Sequence, residues 1–237
     1  VSVKTVSNVV NGYPYIRETT RDRVRAAIDE LGYEVNVTAR NLRSGRTGMI
    51  GLAVPELAQS YFAELAEEVL AAARARDLNV LIEPTGYLRE SELEVLGWAR
   101  RGMIDGLLFS PGALSQRDAE QLEVDYPLVL LGEQVFSPAV DHVTMHNVEA
   151  ARAATELLLG LGRRRIAVLG VPQGDAGGAA RLRFQGYREA LEARGIALDP
   201  RLLGRPGDGW HRANGARAIS AVLESGVTPD GVVAFND

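Results

Sequence analysis

Short apolar runs alternate with longer amphipathic stretches from Met49 to the end of the 237-residue chain. The runs have the length of buried strands, and the stretches between them carry apolar residues at helical spacing. Strands that alternate with helices form a parallel sheet covered on both faces, so we predict an α/β fold with doubly wound parallel sheets. The predicted strands are 49–54, 79–83, 106–109, 128–131, 165–169 and 231–235, and the predicted helices are 61–76, 90–101, 115–123, 148–161, 180–193 and 210–224.

This pattern divides after the segment from His142 to Met145, which predicts a two-lobed domain with a first lobe over 49–147 and a second over 148–237. In open α/β sheets a ligand binds beyond the carboxyl ends of the strands. Between two such sheets the cleft is the natural binding place. The predicted strand ends are 55–62, 110–112, 171–183 and 236–237.

The first 34 residues have a different, all-helical pattern. Ser2 can cap a short helix that ends at Asn11-Gly12, since glycine takes the left-handed conformation there without steric strain. A second helix is predicted from Glu18 to Leu31. On the first helix Val6, Val9 and Val10 form an apolar stripe, and Lys4, Thr5 and Asn8 lie on the opposite face. By itself this pattern also fits a helix that only caps a small domain.

Residues 35–48 form a predicted linker, in which Asn36 can cap a short helix through Arg43. Residues 1–48 carry eight basic and five acidic side chains, a net charge of +3, whereas the whole chain has a net charge of -5. A basic head on an acidic body favours the binding of nucleic acid phosphates. The excess is small enough to arise by chance, so it supports DNA binding without establishing it.

The order of motifs resembles the LacI/GalR family of bacterial transcriptional repressors. The motifs are Val-Ser-x-x-Thr-Val-Ser-x-Val-x-Asn-Gly over 1–12, Thr-Arg-x-x-Val over 20–24, Ile-x-x-Leu-Gly-Tyr-x-x-Asn over 28–36, Ala-Arg-x-Leu over 39–42 and Thr-Gly-x-Ile-Gly over 47–51. The resemblance implies a periplasmic-binding-protein-like effector domain preceded by a helix-turn-helix DNA-binding segment. It also implies a homodimer on near-palindromic double-stranded operator DNA, with a small sugar effector that either induces or corepresses.

In that family the opening helix is the recognition helix, which lies in the major groove of DNA. The linker is the hinge helix, and the leucine at the position of Leu42 is a wedge that kinks the minor groove. An exposed tether with an incidental leucine is the alternative. The family pattern places the natural start about 15 to 20 residues upstream. It also continues beyond the last predicted strand, so we expect both ends of the chain to be cut. The DNA-binding residues that the resemblance implies are Val3, Lys4, Thr5, Ser7, Asn8, Asn11, Tyr15, Arg40 and Leu42.

The resemblance also implies the effector-binding residues, which are Tyr61, Phe62, Arg183, Trp210, Asn236 and Asp237. An arginine and a carboxylate suit the hydroxyls of a polyol, and an aromatic face covers its apolar side. Arg183 could instead be a helix salt-bridge partner, Trp210 a core residue and Asp237 a loop residue. This chain departs from the family pattern at Asn8, at Arg17 in place of a capping serine, and at Gln-Ser-Tyr-Phe over 59–62. Lys4 could read guanine or contact phosphate, and Asn8 could read adenine or contact phosphate.

Other classes of protein have little support. The absence of cysteine excludes thiolate metal sites and thiol nucleophiles and fits a cytoplasmic location, and no apolar run is long enough to cross a membrane. The glycine-rich stretch over 170–178 lacks the spacing of a nucleotide-binding loop, and His142 and His146 have no third ligand nearby. We therefore expect no enzyme, no cofactor and no metal. A sugar-binding protein without a DNA-binding role, of the solute-binding class, is the alternative.

Overall fold

The computed structural model describes residues 1–10, 12–33, 45–172, 178–205, 207 and 210–236. It separates into two compact units, Val1–Thr47 and Gly48–Asp237. The finer predicted boundaries, at 34, 48 and 147, stay predictions.

The first unit is helical. Helix α1 spans Val3–Val10 and helix α2 spans Glu18–Leu31. The oxygen Oγ of Ser2 accepts a hydrogen bond from the Thr5 amide at 3.2 Å, as expected for a cap. Gly32 ends α2 in the left-handed conformation (φ 56°). Val9 of α1 and Val24 of α2 are buried. Of the other two valines in the predicted stripe, Val6 is partly buried and Val10 is 36% exposed.

The second unit contains two parallel sheets, which confirms the predicted two-lobed α/β fold. The first lobe has a five-stranded sheet in the order β2-β1-β3-β4-β5, and the second has a three-stranded sheet in the order β7-β6-β8. The first-lobe strands are Met49–Val54, Asn79–Pro84, Gly106–Phe109, Leu128–Leu131 and Asp141–Val143; the second-lobe strands are Ile166–Leu169, Leu203–Gly204 and Gly231–Ala234. All their pairings are parallel.

Helices cover both sheets. The first lobe has α3 (Ser60–Arg74), α4 (Arg89–Val95) and a 3₁₀ helix (Gln116–Leu122); the second has α5 (Asn147–Gly160), α6 (Gly178–Ala193), a 3₁₀ turn (Pro200–Leu202) and α7 (Arg212–Glu224). In the first lobe two apolar clusters form the core. One centres on Phe109, Leu114 and Leu130, and the other on Leu52, Val54 and Phe62. Among the described residues, none of the helices combines the length and apolar character that a bilayer crossing requires.

Two predicted helices differ from the structure, and the structure contains two strands that were not predicted. Helix α4 ends at Val95 instead of continuing to residue 101, and turns follow it. Leu96 and Trp98 are both buried in the first-lobe core, and residues two apart cannot share one face of a helix. The predicted helix over 115–123 is a 3₁₀ helix. Strand β5 and the short β7 are not among the predicted strands.

Candidate DNA-reading surface and effector cleft

Helix α1 presents side chains that can donate and accept hydrogen bonds. Val3, Lys4 and Tyr15 are exposed, and Thr5, Ser7 and Asn8 are partly exposed. The hydroxyls of Ser2 and Thr5 lie 2.9 Å apart. The turn after α1 is tied to α2 because the Arg21 guanidinium donates to the Tyr13 carbonyl at 3.3 Å. Asn11, Arg40 and Leu42, the other predicted DNA contacts, lie outside the described residues.

The carboxyl ends of the strands bring the predicted effector residues to the facing edges of the two lobes. In each sheet the strand order reverses at one point, between β1 and β3 in the first lobe and between β6 and β8 in the second. Ligands of such sheets bind in the crevice at this switch point. Tyr61 lies beyond the end of β1, and Phe235 and Asn236 follow β8.

Arg183 is held in the second lobe by several groups. Its Nε donates to Oδ1 of Asn147 at 2.6 Å, and its Nη1 donates to the carbonyl of Phe235. The guanidinium carbon lies 5.9 Å from the ring centre of Trp210, within the range of a cation–π contact. These contacts tie Arg183, which lies on α6, to the start of α5 and to the end of β8.

Trp210 and Asn236 meet at the same edge. The amide of Asn236 donates to the Trp210 carbonyl at 3.3 Å. Trp210 is partly buried and also packs against the second-lobe core around Tyr187 and Phe235. Its ring therefore serves the core as well as the cleft. Asp237, the predicted carboxylate partner, lies outside the described residues.

The predicted aromatic pair of the first lobe is divided between cleft and core. The rings of Tyr61 and Phe62 meet edge to face, with centroids 5.0 Å apart. Tyr61 is 47% exposed, whereas Phe62 is 8% exposed and belongs to the core with Leu52 and Val54. The Phe62 ring thus packs between the core and Tyr61. Of the two rings, Tyr61 is the one that a ligand can reach.

Charges from both lobes act on Tyr61. Burial raises the pKa of its phenol, the carboxylate of Glu133 raises it further, and the guanidinium of Arg183 opposes them. Glu133 follows strand β4 and is 8% exposed, with one oxygen accepting the Met145 amide at 3.0 Å. The phenol of Tyr61 is therefore influenced by an acid of the first lobe and a base of the second, and such groups can accept hydrogen bonds from hydroxyls and donate to them.

Several residues of this edge were not predicted. Asn147 and Glu133 are buried polar side chains beside the strand ends, and the local sequence pattern does not distinguish them. The fully buried carboxylate of Glu92 accepts hydrogen bonds from three consecutive backbone amides, over 112–114, at 2.7–2.9 Å. These bonds hold the loop after β3, where a β-carbon on Gly112 would lie 2.6 Å from the Tyr87 ring.

Two family models match the chain. Residues 47–237 match the periplasmic binding proteins and sugar binding domain of LacI family, and residues 1–36 match the bacterial regulatory proteins of the lacI family. The chain belongs to the LacI family. The predicted family and fold are therefore confirmed.

Characterised relatives agree with this assignment. The chain is 31% identical to the transcriptional regulator RegA of Clostridium saccharobutylicum over 86% of its own length, and 32% identical to the ribose operon repressor of Halalkalibacterium halodurans over 100%. It spans 61% of the first relative and 69% of the second. The whole length of these LacI-family proteins is thus not represented in the 237 residues.

Solved structures of the family superpose on the chain. A LacI-family regulator from Sanguibacter keddieii matches 81% of this chain with a TM-score of 0.71 and 52% identity, and 68% of that protein is covered. The lac repressor dimer, bound to operator and the anti-inducer ONPF, matches 100% of this chain with a TM-score of 0.85 and 26% identity, and 71% of the repressor is covered.

Proposed function

We propose that this LacI-family chain is a transcriptional regulator that binds operator DNA as a dimer and changes its DNA affinity when a sugar or sugar derivative occupies the cleft. The observation that carries the proposal is the presence of both family segments in one chain, at 1–36 and 47–237. A solute-binding protein would have the second segment alone. The relatives are transcriptional regulators, which favours a non-enzymatic role in the cytoplasm.

The proposed DNA-binding residues are those of α1 and the turn that follows it: Val3, Lys4, Thr5, Ser7, Asn8, Asn11 and Tyr15. Two copies of this helix would lie in successive major grooves of a near-palindromic site, with Arg40 and Leu42 of the hinge in the minor groove between them. The exposed polar face of α1 supports this, because Lys4 can reach phosphate or guanine and Asn8 can reach adenine or phosphate.

The proposed effector residues are Tyr61, Arg183, Trp210, Asn236 and Asp237, with Phe62 beneath Tyr61. A sugar ring placed against Trp210 could donate hydroxyl protons to carboxylates and accept from the guanidinium of Arg183. Because a ligand shifts an equilibrium only by its differential affinity for the two states, the effector must bind one lobe arrangement more tightly than the other.

Selection of bound DNA from a random duplex library, by the protein that carries this sequence, tests the proposal. We expect enrichment of a palindrome with a flexible pyrimidine–purine step at its centre, since such a step is easily kinked. The selected duplex then reports on effectors: Arg183→Ala should abolish the effect of an active sugar on DNA binding while DNA affinity is kept. Sugar binding without any DNA enrichment would favour the solute-binding alternative.

Leu42→Ala tests the hinge separately. Loss of the wedge should weaken binding to the selected operator more than binding to random duplex, because only the operator complex requires the kink. An equal loss on both duplexes would mean that Leu42 is an incidental residue of a tether.

A further inference from the structure

The carboxylate of Glu56 is oriented by its own lobe. Glu56 lies in the segment after β1, and its Oε1 accepts hydrogen bonds from the amide of Gln59 and from the hydroxyl of Tyr87, the latter at 3.4 Å. The same amide also reaches the Tyr87 hydroxyl, at 2.8 Å. Burial, and then the charge of Glu56, raise the pKa of Tyr87 to about 12, so its phenol stays protonated and able to donate at neutral pH. Glu56 is therefore positioned before any contact with the second lobe.

The partner of this carboxylate comes from the second lobe. Nε2 of His211 lies 3.5 Å from Oε1 of Glu56. His211 precedes α7, and its carbonyl accepts the amides of Asn214 and Gly215 at 2.9 and 3.1 Å, which fixes its backbone to the helix start. It also directly follows Trp210, whose ring faces Arg183. A separation of the lobes at this point would therefore move Trp210 away from Glu56 together with His211.

We propose that Glu56 and His211 form an interlobe latch that holds the two lobes together at the mouth of the cleft. Gln59 and Tyr87 are its positioning residues, because they hold the carboxylate toward the histidine. The lobes also approach one another at Gly178, where a β-carbon would lie 2.8 Å from Oε1 of Gln134. The latch therefore adds a polar contact, between the end of β1 and the start of α7, to a packing contact between the end of β4 and the start of α6.

The latch makes a graded contribution. The pair is an ion pair only while the imidazole of His211 is protonated, and because the His211 and Glu56 side chains are 47% and 24% exposed, solvent screens their attraction. Partly exposed pairs of this kind shift an equilibrium about two- to fivefold. A shift of this size leaves the lobes free to separate, which a ligand needs for access. Its regulatory consequence, a change of the same size in apparent effector affinity, rests on the proposed function, whereas the latch itself does not.

Distance measurements between the lobes test the latch without any ligand or DNA. These 237 residues contain no cysteine, so within them two introduced cysteines are the sole sites for a thiol-reactive spin label. Glu90→Cys in the first lobe and Ala216→Cys in the second are exposed positions on α4 and α7. Pulsed electron resonance on this pair gives the distribution of interlobe distances, which is then compared in the His211→Ala and Glu56→Gln backgrounds.

We expect each substitution to raise the ratio of longer to shorter distances about two- to fivefold. The double variant should change no more than the stronger single variant. Glu149→Gln is the matched control, because Glu149 faces His146 at 4.0 Å within one stretch of chain, and it should leave the distribution unchanged. Unchanged distances in both latch variants, or a shift equal to that of the control, would overturn the latch. Failure of the proposed function would instead appear as absent operator selection, with these distances unaffected.

Discussion

Nε of Arg183 lies 2.6 Å from Oδ1 of Asn147, so the side chain that starts α5 holds the predicted effector arginine. Asn147 is 3% exposed, and its own amide donates to the Met145 carbonyl at 3.1 Å. Asn147→Ala removes both bonds, so the partly buried guanidinium of Arg183 loses one of its acceptors. We expect a loss of about 1–3 kcal/mol in the free energy of unfolding, measured by urea denaturation.

The same variant should also weaken binding of whichever sugar affects operator binding, because Arg183 loses a group that orients it. Gln185→Ala is the control, since the Gln185 side chain is exposed and bonds only locally, to Glu189 at 2.8 Å. If Asn147→Ala were as stable as this control, the assigned role of Asn147 would be wrong.

Helices α5 and α6 approach closely at Gly186. A β-carbon on Gly186 would overlap the Val148 carbonyl and lie 2.9 Å from the Arg152 amide, and both are backbone atoms that cannot move aside. Gly186→Ala should therefore destabilise the second lobe by about 1–3 kcal/mol, as overpacking does. Gly215→Ala, in α7, has no atom within 4 Å of the added carbon and should stabilise the protein by about 0.4–1 kcal/mol. Opposite signs in thermal unfolding would support the close approach; equal effects would contradict it.

The sheet strands were predictable because their signal is local. The runs 49–54, 106–109 and 128–131 are apolar throughout, and the structure gives these strands the predicted bounds. Strand β5, which spans Asp141–Val143, lies at the edge of its sheet and carries no such apolar run. Helix α4 ends earlier than predicted because the core buries both Leu96 and Trp98, which cannot lie on one face of a helix.

The site was predictable only in part. Arg183 and Trp210 were assigned through family motifs, and the structure brings them together. Other parts of the site form between residues that are distant in sequence and that the parallel order of the strands brings together. These are Glu133, Asn147 and the Glu56–His211 pair. Local periodicity contains no information about such meetings. Which of Tyr61 and Phe62 faces the cleft likewise depends on how α3 packs against the sheet.

Helix α2 begins without a side-chain cap. Arg17 occupies the N-cap position with φ -58° and ψ 136°, and its side chain makes no capping hydrogen bond. Its positive charge also opposes the helix dipole at this end. Arg17→Ser should therefore stabilise α2 by about 1 kcal/mol, because the serine hydroxyl can accept a hydrogen bond from a first-turn amide that has no partner within the helix. Slower hydrogen exchange of the Thr19 amide would show the gain, and Arg17→Ala, which cannot cap, provides the comparison.

Asp118 adds a pH-dependent contribution to the first lobe. The Ser115 amide, at 2.9 Å, and then the Arg89 guanidinium hold the pKa of this carboxyl below its usual range. A depressed pKa in the folded state gives stability that is present above the unfolded pKa, about 3.9, and is lost as the pH falls through the folded pKa. Asp118→Asn should thus be less stable than the parent at pH 7, and the gap should narrow below about pH 4. A stability gap of the same size at pH 3 and at pH 7 would contradict this role of Asp118.

The ionisation of Tyr61 provides a direct measure of how the two lobes face each other. Burial and the Glu133 carboxylate of the first lobe raise its pKa, and the Arg183 guanidinium of the second lobe lowers it. Glu133→Gln should therefore lower the pKa of Tyr61, because the amide keeps the acceptor for Met145 but removes the charge. Arg183→Gln should raise the pKa, because it removes the favourable charge beside the phenolate. Carbon-13 NMR of labelled tyrosine, assigned with Tyr61→Phe, follows the titration. A pKa of Tyr61 that responds to Glu133 and ignores Arg183 would mean that the lobes stand further apart in solution than in this structure.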